Sequence, residues 1–136
     1  MKVMVFGVFD GLHEGHKFFL EEALRSLGEE GLLVVVVARD SVVKKLKNKL
    51  PQWHELKRKE IVQQFMSDAQ VVLGDTEQGS YDVIKTHLPD MLCLGYDQAV
   101  LVGDLRAKMK EGKIPTIPII ILKAHKPEQY KSSLLA

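Results

Sequence analysis

Three short runs along the chain are almost wholly apolar: Val3 to Phe6, Leu32 to Ala38 and Ile117 to Leu122. Each is bounded by glycine, threonine or a charged residue, and each is rich in β-branched side chains or close to it. Runs of this length without polar alternation bury both faces, which is the mark of strands inside a parallel sheet. Gln70 to Leu73 and Met91 to Leu94 are weaker runs of the same kind, followed by Gly74 and Gly95, and are predicted as two further strands. Between the runs the period changes. From Lys17 to Leu27, the residues Phe19, Leu20, Ala23, Leu24 and Leu27 share one helical face, and Gly28 and Gly31 close the segment. A second helix is predicted after Asp40 as its N-cap, and a third over Glu55 to Met66, with Leu56, Ile61, Val62 and Phe65 apolar. Two more are predicted over Ser80 to His87 and Ala99 to Lys110, with Pro89, Gly112 and Pro115 at their ends.

Strands alternating with helices give right-handed parallel βαβ units. Five strands in 136 residues predict a single α/β domain over 1–136, a Rossmann-like, doubly wound sheet of order 3-2-1-4-5 with Val3 to Phe6 at its centre. Ligands of such sheets bind beyond the carboxyl ends of the strands. Those ends are Gly7 to Asp10, Ala38 to Asp40, Gly74 and Asp75, Gly95 to Gln98, and the segment after Leu122.

Composition narrows the partners. The formal net charge is +1, so no broad positive field exists for duplex nucleic acid or an anionic membrane surface, and neither is expected as a partner. Cys93 is the only cysteine, which excludes an intrachain disulfide, and its leucine neighbours predict a buried thiol. The apolar start is interrupted at Gly7 and Asp10, too early for a signal-peptide core, and no apolar run reaches the roughly 18 residues of a membrane span. The expectation is a cytoplasmic protein.

The chemistry concentrates where the first strand meets the first helix, in Gly7-Val8-Phe9-Asp10-Gly11-Leu12-His13-Glu14-Gly15-His16. Glycines allow close backbone approach, and a helix N-terminus offers unpaired N–H groups and positive dipole to an anion. His13 and His16 lie three apart, so both can serve one phosphoryl group as N–H donors. The plainer alternative is one capping and one surface histidine. Zinc is a poorer reading, because no cysteine or second ligand pair lies nearby, and no metal ligand is assigned.

This decapeptide resembles the signature of the cytidylyltransferase-like nucleotidyltransferases, G-T-F-D-x-x-H-x-G-H, with Val8 in place of threonine. Similarity continues through Val36 to Asp40, Glu55 to Lys57, Leu94 to Gln98 and Lys126 to Ser133, and so covers nearly the whole chain in order. The resemblance implies transfer of a nucleoside monophosphate from a triphosphate, ATP or CTP, to a small phosphorylated acceptor with release of pyrophosphate. It implies a Mg²⁺ ion carried by the nucleotide phosphates. It places His13, His16, Lys57 and Lys126 in catalysis, and Val8, Phe9, Asp10, Gly15, Lys44, Lys47, Gly95, Asp97, Gln98, Ser132 and Ser133 at the nucleotide. For Lys44 and Lys47 a solvated helix face is the competing reading, and for Gly95 to Gln98 a tight turn. Within the family, Ala38 to Asp40, Leu94 to Gln98 and Tyr130 to Ser133 look more like the archaeal FMN adenylyltransferases than the glycerol-3-phosphate cytidylyltransferases. FMN is therefore the expected acceptor and glycerol 3-phosphate the alternative. Trp53 and Tyr96 are candidate stacking groups for a base or flavin ring. Small members of the family often pair as homodimers, a state that one sequence does not decide.

Three positions depart from the family pattern: Val8 for threonine, and Lys57 and Lys126 for arginine. Lysine retains the charge without the bidentate fork. Arg58 adjoins Lys57, but one residue along a helix turns a side chain by about 100°. A nucleotide-binding module without transferase activity is the alternative of another class.

Overall fold

A computed structural model describes residues 1–28 and 30–123. Lys126, Ser132 and Ser133 lie outside the described residues, as do Tyr130 and the rest of the ending from 124 to 136.

The elements run in the order β1 (Lys2–Gly7), α1 (Glu14–Arg25), β2 (Leu32–Val37), α2 (Asp40–Lys47), α3 (Glu55–Phe65), β3 (Gln70–Leu73), α4 (Asp82–His87), β4 (Met91–Gly95), α5 (Ala99–Lys110) and β5 (Ile119–Leu122). The five strands form one parallel sheet, as the alternation of runs predicts, and its order is the expected β3-β2-β1-β4-β5. β1 is central. Its alternating side chains divide the core: Val3 and Val5 join Leu20 and Ala23 of α1 and Val62 of α3, whereas Met4 joins Ile84 of α4 and Val102 and Leu105 of α5. Both faces are thereby covered, which is why the strand segments read as continuous apolar runs. Cys93 is buried in the first cluster, with burial pushing its thiol pKa up, as its leucine neighbours imply. No helix among the described residues is long and apolar enough to cross a membrane.

Element ends differ from the sequence reading for local reasons. The first helix begins three residues earlier, at Glu14, because His13 caps it. Asp40 is the first residue of α2 rather than its cap; Arg39 holds that position without a side-chain capping bond. α4 starts at Asp82 because Tyr81 is in the left-handed region, with φ 52°, and its hydroxyl donates to Asp104 of α5. β5 starts at Ile119, after Pro118, whose carbonyl accepts from Leu92 N–H but which has no N–H of its own.

The sheet is not uniformly zipped. β1 matches β2 along six consecutive residue pairs, Lys2 with Leu32 through Gly7 with Val37, but matches β4 only at Val3 with Met91 and Met4 with Leu92. The two central strands therefore part toward their carboxyl ends. This is the point at which the chain reverses its winding direction, and where a doubly wound sheet opens its crevice.

Packing at the centre sets a stability test. Leu92 is fully buried among Met4, Leu94 and Leu105, and Leu92→Ala is expected to cost about 2–5 kcal/mol. Denaturant unfolding with an unchanged slope checks it.

Candidate active site

The loop after β1 is built on a buried cation. Arg58 of α3 is completely excluded from solvent. Its Nε donates to the Trp53 carbonyl at 2.9 Å, Nη1 to the carbonyls of Val8 (2.9 Å) and Ala38 (2.8 Å), and Nη2 to Asp40 Oδ1 at 2.6 Å. One guanidinium thus ties the ends of β1 and β2 to the segment entering α3. A buried charge is tolerable only when its donors are satisfied and its counter-charge is close. Asp40 supplies that charge, and it is held in turn by Glu55: Asp40 N–H donates to Glu55 Oε1 at 2.8 Å and Glu55 N–H to Asp40 Oδ2 at 3.3 Å. Arg39 extends the network, donating to the Gly74 carbonyl at 2.7 Å at the end of β3.

Lys57, the neighbour expected to carry the arginine's role, points elsewhere. It is exposed, with Nζ 4.9 Å from the centre of the Trp53 ring. The guanidinium that organises this region belongs to Arg58. A signal for it existed: Arg58 precedes Ile61, Val62 and Phe65 by three, four and seven residues and so lies on the apolar stripe of α3.

Above this base the loop turns sharply, with Phe9, Gly11 and Leu12 at positive φ (56°, 80° and 36°). Phe9 is buried under Gly7, where an added Cβ would stand 2.6 Å from the phenyl ring. Phe9 therefore contributes its side chain to the core, and only its backbone faces the loop. Asp10 accepts from the backbone N–H groups of Gln52 (2.8 Å, Oδ2) and Trp53 (2.9 Å, Oδ1), so its carboxylate braces the segment before α3.

His13 and His16 cap the first turn of α1 reciprocally. His13 Nδ1 accepts from Gly15 N–H at 3.1 Å, and His16 Nδ1 accepts from His13 N–H at 3.2 Å. Both Nδ1 lone pairs are thus occupied, which puts the proton of each neutral ring on Nε2. The rings stack with centroids 3.6 Å apart, and the Phe9 ring meets His16 edge-on at 5.6 Å. Burial, with His13 and Lys47 adding to it and Asp10 opposing, pulls the His16 pKa down to about 4. Burial also lowers His13, against the pull of Asp97 and Glu14. At neutral pH the loop therefore presents two uncharged Nε2–H donors. The capping and ligand-facing readings of the histidines are not exclusive, since capping uses Nδ1 and leaves Nε2.

Around this pair the fold brings several of the predicted residues. Lys47 and Lys44 lie three apart in the last turn of α2, both exposed, and the charge of Lys47 reaches His16. Asp97, exposed in the loop after β4, reaches His13. Gln98 spans the parted strands: its Oε1 accepts from Gly95 N–H and its Nε2 donates to the Phe6 carbonyl. Among the described residues no cluster of three His, Cys, Asp or Glu side chains is placed to hold a metal ion. A cavity of about 280 Å³ adjoins the crevice, lined in part by Gly95, Tyr96, Ala99, Val102 and Arg106.

The sequence pattern of the cytidylyltransferase-like family matches residues 4–135, a span that takes in the His13–His16 loop and the parted strands alike. The chain belongs to the cytidylyltransferase-like family. Within reach of this cytidylyltransferase-like chain are the FAD synthase of Thermococcus sibiricus, 35% identical over 133 residues that make up 98% of this chain and 88% of that protein, and the FAD synthase of Aciduliprofundum boonei, 47% identical over 98 residues, 72% of this chain and 62% of that one. A solved structure, described as a lipopolysaccharide core biosynthesis protein from Thermoplasma volcanium, superposes with a TM-score of 0.78 at 32% identity, covering 93% of this chain and 98% of its own.

Two tests follow from the geometry. Replacing Arg58 with methionine removes the bonds to Trp53, Val8, Ala38 and Asp40 together and leaves Asp40 without its buried partner, and breaking a buried pair in this way costs about 3–5 kcal/mol. Lys57→Gln loses an exposed cation–π contact of about 0.5–1 kcal/mol. Urea denaturation of both variants should rank them in that order, and the opposite order would mean that the scaffold rests on Lys57.

The second test concerns pH. A histidine whose folded pKa is depressed binds its proton more readily in the unfolded chain, so stability is present above the unfolded value and is lost as pH falls from about 6.5 toward about 4. His16→Gln should flatten the stability profile in that window. An unchanged slope would show that His16 is not held neutral by its surroundings.

Proposed function

We propose that the chain is an FMN adenylyltransferase, joining AMP from ATP to the phosphate of FMN to give FAD and pyrophosphate. The naming of the relatives supports the acceptor, and the stacked, Nδ1-capped histidine pair supports the chemistry. In this reaction a phosphate oxygen of FMN forms a bond to the α-phosphorus of ATP, while the bond from that phosphorus to the α,β-bridging oxygen breaks and its electrons leave with pyrophosphate. A phosphate monoester with a second pKa near 6 is largely dianionic at neutral pH, so the nucleophile needs no general base. Catalysis is then positioning and stabilisation of charge on the phosphoryl oxygens.

The residues present suit those two tasks. His13 and His16 supply N–H donors to the transferring group, and their neutrality before binding avoids repulsion between the stacked rings. Lys44 and Lys47 supply mobile positive charge at the rim for the triphosphate. The donor set consists of imidazole N–H groups, ammonium groups and a helix N-terminus, with Asp10 already spent on backbone N–H groups. It therefore fits a magnesium ion that arrives on the triphosphate oxygens, where it neutralises charge, with Asp97 as the exposed carboxylate able to approach it.

The experiment is a matrix of ATP and CTP against FMN and glycerol 3-phosphate with Mg²⁺, scored by pyrophosphate. FAD and pyrophosphate should form in equal amounts from ATP and FMN. His16→Ala, folded by circular dichroism, should lose about 100-fold or more in turnover. Robust turnover of CTP with glycerol 3-phosphate and no FAD would replace the acceptor. Nucleotide binding without pyrophosphate from any pair would make this a binding module.

A further inference from the structure

The mouth of the crevice is set by an amide that stands where a sheet bond would otherwise form. In β1 the odd-numbered carbonyls serve β2, as Gly7 O does in accepting from Ala38 N–H. The even-numbered ones face β4. Continuing the register Val3 with Met91 and Met4 with Leu92 by two residues would bring the Phe6 carbonyl to the Gly95 N–H as the next ladder bond. That bond is not made. Gln98 Nε2 donates to Phe6 O at 2.9 Å, and Gln98 Oε1 accepts from Gly95 N–H at 2.8 Å. Gln98 is also the cap position of α5, yet its side chain makes no capping bond, because both ends of its amide are committed to the strands.

We infer that Gln98 is a positioning residue of the transfer reaction: its amide props β1 and β4 apart and so fixes the distance between the His13–His16 loop on one lip and the Gly95–Asp97 loop on the other. With one amide N–H and the carbonyl oxygen bonded to the two strands, the side chain acts through the crevice it holds open. The inference rests on the transferase reading above. A displacement of about 1 Å between groups that must converge on one phosphorus costs on the order of 100-fold in rate. Removing the prop leaves Phe6 O and Gly95 N–H free to find each other and narrow the mouth.

The test uses Gln98→Leu, which loses both bonds, and Gln98→Glu, whose carboxyl is isosteric with the amide. Ionised, the glutamate cannot donate and faces the Phe6 carbonyl with like partial charge. Protonated, it restores both bonds, its O–H to Phe6 O and its C=O to Gly95 N–H. The charged and titratable groups around this position are Asp97, whose Oδ1 lies against the same Gly95, His13 beyond it, and Arg106 of α5 in the adjoining cavity. All are present in every variant, so the ratio of variant to wild-type turnover at each pH isolates residue 98.

Turnover is measured with the donor and acceptor that release pyrophosphate in the wild type, below each variant's unfolding midpoint, alongside calorimetric binding of the magnesium nucleotide. At about pH 8 both variants should lose roughly 100-fold in kcat, with nucleotide affinity within about threefold of wild type. The ratio for Gln98→Glu should rise about tenfold or more between about pH 8 and about pH 5.5, since burial beside a carbonyl lifts a glutamate above its ordinary ~4.3. The ratio for Gln98→Leu should stay flat. A wild-type kcat in Gln98→Leu, a loss carried wholly by nucleotide affinity, or a flat ratio for Gln98→Glu would each overturn the inference while leaving the transferase reading in place. A wild type that binds nucleotide but releases no pyrophosphate with any donor and acceptor would remove both.

Discussion

The buried guanidinium of Arg58 is the constraint on which the site depends. Three chain segments that are remote in sequence, ending at Val8, Ala38 and Trp53, present carbonyls to one fixed fork, and Asp40 supplies the counter-charge. A lysine ammonium in the same place would offer a point charge with rotating donors, and could not hold that divergent set. Because an unpaired buried cation is so costly, the ends of β1 and β2 and the entry to α3 must arrive together or the fold loses much of its stability. The loop bearing His13 and His16 inherits its position from this arrangement.

The second constraint is the parting of β1 and β4. A parallel sheet gains little by leaving a backbone N–H and a carbonyl unpaired at its centre, so a split there needs substitute partners. Gln98 provides both with one side chain, and the opening it maintains coincides with the reversal of winding, where ligands of such folds gather. The histidine pair occupies one lip and Asp97 approaches it from the other, close enough for its charge to be felt at His13.

The two histidines combine a capping bond at Nδ1 with an N–H at Nε2. Capping fixes the tautomer by using Nδ1, and burial suppresses protonation. The result is a pair of oriented neutral donors, and neutrality makes their stacking affordable at 3.6 Å. Membership of the cytidylyltransferase-like family is carried across residues 4–135, the span that holds this loop.

The sequence by itself determined a five-stranded parallel sheet, because burial on both faces of the strands forces unbroken apolar runs that alternate with helical periods. The strand order was an expectation that the tertiary structure decided. The sequence also marked the Gly7 to His16 loop as the candidate site, since glycines, histidines and a helix start are all local features. The apolar stripe of α3 places Arg58 inward, but only the tertiary structure decided which carbonyls and carboxylate its guanidinium gathers. Lys57 and Arg58 are adjacent and equally charged in one dimension, and the helix alone turns Arg58 inward and leaves Lys57 on the Trp53 ring. The same holds for Asp10, Phe9 and Gln98, which the resemblance places at the nucleotide and the fold commits to backbone N–H groups, the core and the parted strands. Their partners lie 42 or more residues away for Asp10 and 92 for the bond from Gln98 to Phe6. Contacts at such separations leave no periodic trace in a sequence, because they depend on which strand ends the packing brings together.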